Sequence, residues 1–209
     1  MKEPTTQDWT KLLRVISYLK CTRDDVLTLE TSDEQILYWY VDAYFAVHAD
    51  MKSYKGSVFS FGKVMIVADS TKQKVNARSL TESELIGVDD IISEILCTWR
   101  FLERQGFKVK VNIIYQDNTS TMKLQKNGKA RSGNRTRHYD IKYCYVTDLT
   151  VRDKVQVIYC PTNYILGDCM TKPLVGSKFV KFIDFIINLT KKYHQNFHQE
   201  CFGELCKKY

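Results

Sequence analysis

Between Ile36 and Leu102 the apolar residues change rhythm once, and that change leaves the chain few folds to choose from. Three short runs, Ile36 to Ala43, Gly56 to Phe61 and Lys63 to Ser70, are rich in the β-branched and aromatic residues that suit a pleated surface. The last two are joined tightly at Gly62, so the three read as an antiparallel meander. Leu85, Val88, Ile92, Ile95, Trp99 and Leu102 then recur at alternating spacings of three and four, which is the pattern of a helix with one apolar stripe. Thr81 reads as the N-cap of this helix, Glu84 as the partner that completes a capping box, and Gly106 as the stop. One face of the helix is expected to lie on the sheet, because neither element can otherwise hide its apolar side.

The remainder extends this pattern. Val109 to Tyr115 reads as a fourth strand, followed after Gln116-Asp117-Asn118 by a short helix from about Thr119 to Asn127-Gly128. Tyr139 to Leu149 has helical character, Val155 to Cys160 reads as a fifth strand closed by Pro161, and Ile165 to Thr171 begins a helix that Pro173 interrupts. Phe179 to Leu189 is an amphipathic helix before a polar tail. Upstream of the meander, Trp9, Leu12, Leu13, Ile16 and Leu19 have helical spacing and Val26 to Leu29 reads as extended; the polar turn at Thr31-Ser32-Asp33-Glu34 then separates this prelude from the rest. Strands and helices in this order predict an α/β fold, a five-stranded mixed sheet with helices on both faces. Residues 1–34, 35–175 and 176–209 are expected to form a prelude, one main domain, and a C-terminal helix with a basic tail.

Composition narrows the setting. At 44% hydrophobic and 26% charged residues the chain resembles an ordinary folded protein and not a disordered one. No apolar run is long enough to span a bilayer, and the start, MKEPTTQDWTK, lacks the apolar core of a secretory signal, so a cytoplasmic or nuclear location is expected, with no secretion and no membrane partner. Seven cysteines, an odd number without a CxxC pair, point to reduced thiols. The net charge of +7 is unevenly spread: Thr121 to Tyr145 holds seven Lys/Arg against one acid, and the segment from Thr171 onward seven lysines against three acids. Positive charge concentrated in this way suits a phosphate-binding face. His194 and His198 stand four apart, with Cys201 and Cys206 beyond. These are zinc-ligand residue types, but the loose cysteine spacing favours a polar or amphipathic tail over a zinc site.

Four carboxylates fall at junctions of the predicted elements. Asp42 ends the first strand, Glu84 lies in the first turn of the long helix, Asp117 follows the fourth strand, and Asp168 stands near the start of a late helix. Taken singly, each has an ordinary explanation as a cap, a turn residue or a helix-dipole partner. Jointly they converge if the first and fourth strands are neighbours. Hard divalent cations such as Mg2+ take oxygen ligands of this kind, and two ions about 4 Å apart suit in-line phosphoryl displacement. Glu82 competes with Glu84 for the second position, whereas Asp50, Asp89 and Asp90 read as solvated charges or caps.

The blocks VDAYFAVHADMKSYKGSVFSFGK, STKQKVNARSLTESELIGVDD, IIYQDNTSTMKLQKNGKARSGNRTRHYDIKY and VIYCPTNYILGDCMTKPL resemble the successive blocks of the ribonuclease H domain of copia-type LTR retrotransposon Pol polyproteins. TKLLRVISYLKCTRDDVLTL, within residues 1–34, resembles the end of the preceding reverse transcriptase region. The resemblance implies a ribonuclease H-like fold and endonucleolytic cleavage of RNA in RNA–DNA hybrids during reverse transcription. It also implies two Mg2+ ions, with Mn2+ as a substitute, held by the catalytic acids Asp42, Glu84, Asp117 and Asp168, and the reverse transcriptase region of the same polyprotein as a partner. Two departures stand out. Ser79-Leu80-Thr81-Glu82-Ser83-Glu84 replaces a common Ser-Ser-Thr-Glu-Ala-Glu, and Gly167-Asp168 replaces Ala-Asp, a glycine expected to loosen the start of that helix by up to about 1 kcal/mol. The polymerase aspartates are absent, so the chain is not expected to copy nucleic acid by itself.

Hybrid duplexes are recognised through shape, phosphates and 2′-hydroxyls. Lys129, Arg131, Arg135, Arg137 and His138 are the expected phosphate-binding residues, with Ser79 and Asn118 as candidates for 2′-hydroxyl contact. The alternative reading is a catalytically inactive or domesticated remnant that binds nucleic acid without cutting it.

Overall fold

Ile36–Tyr44 forms the central strand, β1, which is apolar on both sides because both of its faces are covered. The computed structural model describes residues 3–31, 35–127 and 145–188. Around β1 it arranges α1 (Thr6–Cys21), β2 (Tyr54–Ser60), β3 (Met65–Lys72), α2 (Leu80–Arg104), β4 (Val111–Gln116), α3 (Thr119–Asn127), α4 (145–151), β5 (Gln156–Tyr159), α5 (Asp168–Thr171) and α6 (Gly176–Ile187). The sheet order is β3-β2-β1-β4-β5. β2 runs antiparallel to both β1 and β3, whereas β4 runs parallel to β1 and to β5. This is the mixed five-stranded α/β sheet expected of a ribonuclease H-like fold.

Side chains alternate across the strands, so each face builds its own core. On one face Leu37, Trp39, Val41 and Ile114 meet Val88, Ile91, Ile92 and Ile95 of α2 together with Val146 and Leu149 of α4; the Trp39 and Phe59 rings stack at 4.5 Å. On the other, Tyr38, Tyr40, Ile113 and Tyr115 meet Ile165, Leu166 and the Phe182, Phe185 and Ile186 side of α6. Each fully buried side chain of this size contributes about 1.5–3 kcal/mol relative to exposure, so both helical layers clamp β1 and β4. The edges differ in character. β3 is largely exposed and carries Asp69 and Lys72, charges that blunt an open edge, while β5 is only four residues long.

The start of α2 differs from the capping-box expectation. Its N-cap is Ser79, not Thr81: Ser79 is extended, and its Oγ accepts from the Glu82 N–H at 3.2 Å, while Glu82 Oε2 accepts from the Arg78 N–H at 2.8 Å. The helix thus begins about half a turn earlier than a Thr81 cap would place it, and Leu80 at its first position is half exposed and adds nothing to the core. Thr81 instead uses its carbonyl to accept from Thr121 Oγ1 at 3.3 Å, tying α3 to this end of α2. The segment Val26–Leu29 forms no strand; Thr31 makes one antiparallel bridge to Gly62. Among the described residues Cys21, Cys97 and Cys169 are free thiols, and no helix is long and apolar enough to cross a membrane.

A candidate metal centre at the end of the central strands

The parallel pairing of β1 with β4 runs to Tyr40 opposite Tyr115. Two residues further along each strand bring Asp42 and Asp117 to the same level and, by strand alternation, to the same face. Glu84 reaches them from the second turn of α2, which packs on β1, and its Oε1 accepts a hydrogen bond from the Ala43 N–H at 3.3 Å. One carboxylate oxygen from each of Asp42, Glu84 and Asp117 lies within 4.8 Å of the others. Thr162 Oγ1 donates to Asp117 Oδ2 at 2.8 Å, and Thr171 Oγ1 donates to Asp42 Oδ2, so two of the three acids are held in place by hydroxyls. They open onto a cleft of about 660 Å³ whose wall also includes Tyr44, Thr81, Asn118 and Lys172.

Burial, opposed by Lys172 and the Thr171 hydroxyl, raises the Asp42 carboxyl above the ordinary carboxylate range. Burial, reinforced by the charges of Asp42 and Asp117, raises Glu84 further, and its Oε2 is buried without a hydrogen-bond partner. Three clustered carboxylates with one orphaned buried oxygen fit a hard divalent cation, which would neutralise the charge and take up that oxygen.

The same raised values predict how stability depends on pH. Asp42 and Glu84 bind protons more tightly in the folded than in the unfolded chain, so the folded state gains stability as pH falls through their raised pKa values and loses it as pH rises. Asp8 and Asp50, whose carboxyls are lowered by hydrogen bonds to Thr5 and Lys72 respectively, act in the opposite sense only below the ordinary carboxylate range. Lys172, which burial lowers but Asp42 and Asp168 raise overall, matters only at alkaline pH. Scanning fluorimetry of the chelator-treated protein is therefore expected to give a higher melting temperature near about pH 5 than near about pH 8, and saturating Mg2+ to erase the difference. A melting temperature that falls on acidification in chelator would contradict the burial of these carboxyls.

Asp168 stands apart from the cluster of three. It is buried at the start of α5, where Lys172 Nζ binds its Oδ1 and Lys178 Nζ its Oδ2. Lys172 Nζ also lies 3.4 Å from Asp42 Oδ2. The neighbouring Gly167 proves to be a packing requirement more than a loosened helix start. A Cβ there would come to 2.8 Å from the Asp42 backbone nitrogen and 3.0 Å from Asp42 Cβ. On the adjacent strand Gly56, in register with Asp42, meets the same turn: a Cβ there would stand 2.5 Å from the Gly167 carbonyl oxygen. The two glycines let α5 sit directly on the sheet beside Asp42.

The remaining candidates have specific placements. Glu82 Oε2 accepts from the Arg78 N–H, and Glu84, not Glu82, is the glutamate that lines the cleft. Ser79 Oγ caps α2, and Asn118 Oδ1 caps α3 by accepting from the Ser120 and Thr121 N–H groups at 3.0 and 3.2 Å. Asp50 pairs with Lys72 at 2.7 Å and Asp90 lies 3.9 Å from Lys55. Lys129, Arg131, Arg135, Arg137 and His138, like His194, His198, Cys201 and Cys206, fall outside the described residues. Thr162, Thr171, Lys172, Lys178 and Gly56 join the site without standing among the sequence candidates. Of these only Lys172 carries a local signal, as the basic residue four places after Asp168.

No family model matches the chain. The retrovirus-related Pol polyprotein from transposon TNT 1-94 of Nicotiana tabacum is 31% identical over 180 residues, which cover 86% of this chain and 13% of that polyprotein. The corresponding polyprotein from transposon RE2 of Arabidopsis thaliana is 30% identical over 184 residues, covering 87% of this chain and 12% of the relative. The chain is a homologue of retrotransposon Pol polyproteins. This Pol homologue spans about an eighth of the length of those relatives. Among solved structures it resembles LC11-RNase H1, isolated from compost by a metagenomic approach, at 13% identity and a TM-score of 0.47, over 65% of this chain and 92% of that one. As a Pol homologue it carries the Asp42, Glu84 and Asp117 cluster at the end of its central parallel strands.

Proposed function

We propose that the chain is a ribonuclease H module of a retrotransposon polyprotein, a metal-dependent endonuclease that cuts RNA within RNA–DNA hybrids during reverse transcription. The observation that carries this reading is the approach of Asp42, Glu84 and Asp117 within 4.8 Å, from three different elements, at the mouth of an open cleft. Asp42, Glu84 and Asp117 are the residues that would hold Mg2+ or Mn2+, with Asp168 at the margin. A divalent cation bound there supplies Lewis-acid stabilisation of phosphoryl charge and an acidified water.

The chain's own residues supply the positioning. The Thr171 and Thr162 hydroxyls and the Ala43 N–H fix one oxygen each of Asp42, Asp117 and Glu84, so the acids need little reorganisation when charge develops. The basic stretch that contains Lys129, Arg131, Arg135, Arg137 and His138 follows α3, whose first residues line the cleft. Binding through those cations would read phosphates and duplex shape and not base sequence.

Incubating the purified chain with an end-labelled RNA–DNA hybrid and Mg2+ is expected to release short RNA fragments and to leave the DNA strand and single-stranded RNA intact. Chelation of the metal should stop the reaction. Intact RNA with a protein that melts cooperatively would refute the activity. Salt-dependent hybrid binding without turnover would identify the chain as a binding remnant instead.

A further inference from the structure

We propose that the Lys172 ammonium holds the position of a second cation between Asp42 and Asp168, so that the resting site takes one divalent ion, at Asp42, Glu84 and Asp117, well ahead of any other. This rests on the metal-dependent reading above. The cluster able to share one cation consists of Asp42, Glu84 and Asp117 and does not include Asp168. Both Asp168 oxygens are already engaged, Oδ1 by Lys172 and Oδ2 by Lys178, and the carboxylate is 1% exposed. Lys172 Nζ bridges from there to Asp42 Oδ2 at 3.4 Å, the oxygen that also accepts the Thr171 hydroxyl.

An ion seeking oxygens from both Asp42 and Asp168 therefore meets a positive charge in its path and an Asp168 carboxylate already paired with two lysines. An ammonium donates hydrogen bonds and accepts none, so it can satisfy these oxygens but cannot polarise a water as a metal does. α5 sets up the arrangement in the resting fold. Asp168 and Lys172 are four residues apart at opposite ends of one helical turn, and Gly56 and Gly167 press that turn onto β1 beside Asp42. The Lys172 side chain is about one-third exposed and faces the cleft, so it has room to swing outward when a second ion or a substrate phosphate arrives. Its partner Lys178, on α6, stays with Asp168 when Lys172 leaves.

Calorimetric Mn2+ binding to the full chain tests this without reference to turnover. The unmodified protein is expected to show one tight ion and a second at least about tenfold weaker. Lys172→Met should tighten the second ion by about tenfold or more, and by more than it tightens the first, whose ligand Asp42 the ammonium also approaches. Asp168→Asn, which does not depend on any lysine variant folding, should leave the first ion unchanged. Two equally tight ions in the unmodified protein, a second ion unmoved by Lys172→Met, or a first ion weakened more than about tenfold by Asp168→Asn would each overturn the proposal. Lys172→Gln, which keeps a hydrogen-bond donor but no charge, should reproduce the Met result if charge is the cause. A chain with the expected binding pattern that leaves hybrids intact would keep this inference and defeat the nuclease reading.

Discussion

Asp42→Asn is expected to slow hybrid cleavage by at least about 10³-fold while the protein stays folded, and to remove tight Mn2+ binding. Asp42 is the acid common to every arrangement at this site: it shares an ion position with Glu84 and Asp117, faces Asp168 across Lys172, and comes from the central strand. Loss of transition-state charge stabilisation worth roughly 4 kcal/mol corresponds to about 10³ in rate, and a metal ligand is asked to supply at least that. The fold should tolerate the change because an Asn Oδ1 can still accept from the Thr171 hydroxyl, and because removing a buried charge relieves the desolvation that raises the Asp42 carboxyl. In chelator the variant is therefore expected to melt no lower than the unmodified chain at neutral pH. Cleavage within about tenfold of the unmodified rate, at matched metal, would remove Asp42 from the reaction.

Gly56→Ala is expected to damage both stability and activity, although residue 56 is no candidate ligand. Its Cβ would stand 2.5 Å from the Gly167 carbonyl oxygen, 2.7 Å from Met170 Cβ and 2.8 Å from Thr171 Cγ2. The first of these is backbone, so the strain is relieved only by lifting α5 off β2 and β1. Overpacking of this kind costs about 1–3 kcal/mol. The same shift carries the Thr171 hydroxyl and Lys172 away from Asp42, and displacement of supporting groups by about 1 Å can lower a rate by about 10². Denaturant melts and hybrid cleavage should therefore fall together. Full activity at unchanged stability would show that α5 does not press on the sheet at Gly56.

Several parts of this arrangement were legible in the chain itself. The meander, the long one-sided helix and the fourth strand are local periodic patterns, and local patterns report the element that carries them. Asp42 and Asp117 were readable as partners only on the condition that the first and fourth strands are neighbours, and the parallel pairing of β1 with β4 supplies that condition. The pair Glu82 and Glu84 was ambiguous, since both lie in the opening turns of α2; the choice was made by the cap at Ser79, which engages Glu82 and leaves Glu84 toward the cleft. The packing role of Gly167 is invisible in the sequence for a related reason. Helix propensity treats a glycine as a local cost, whereas here its missing Cβ is what allows close approach to Asp42.

From sequence alone came the elements, their order, the α/β class and the acids worth examining, because hydrophobic period and residue type are properties of short stretches of chain. Tertiary structure alone decided which carboxylate oxygens remain available. Thr171 reaches Asp42 across 129 residues of sequence, and Thr162 reaches Asp117 across 45. Whether such groups meet depends on packing distances of a few tenths of an ångström between β1, β2 and α5, set jointly by Gly56, Gly167 and the two cores. No local pattern encodes that spacing, and it separates the cluster of three acids from an Asp168 already neutralised by two lysines.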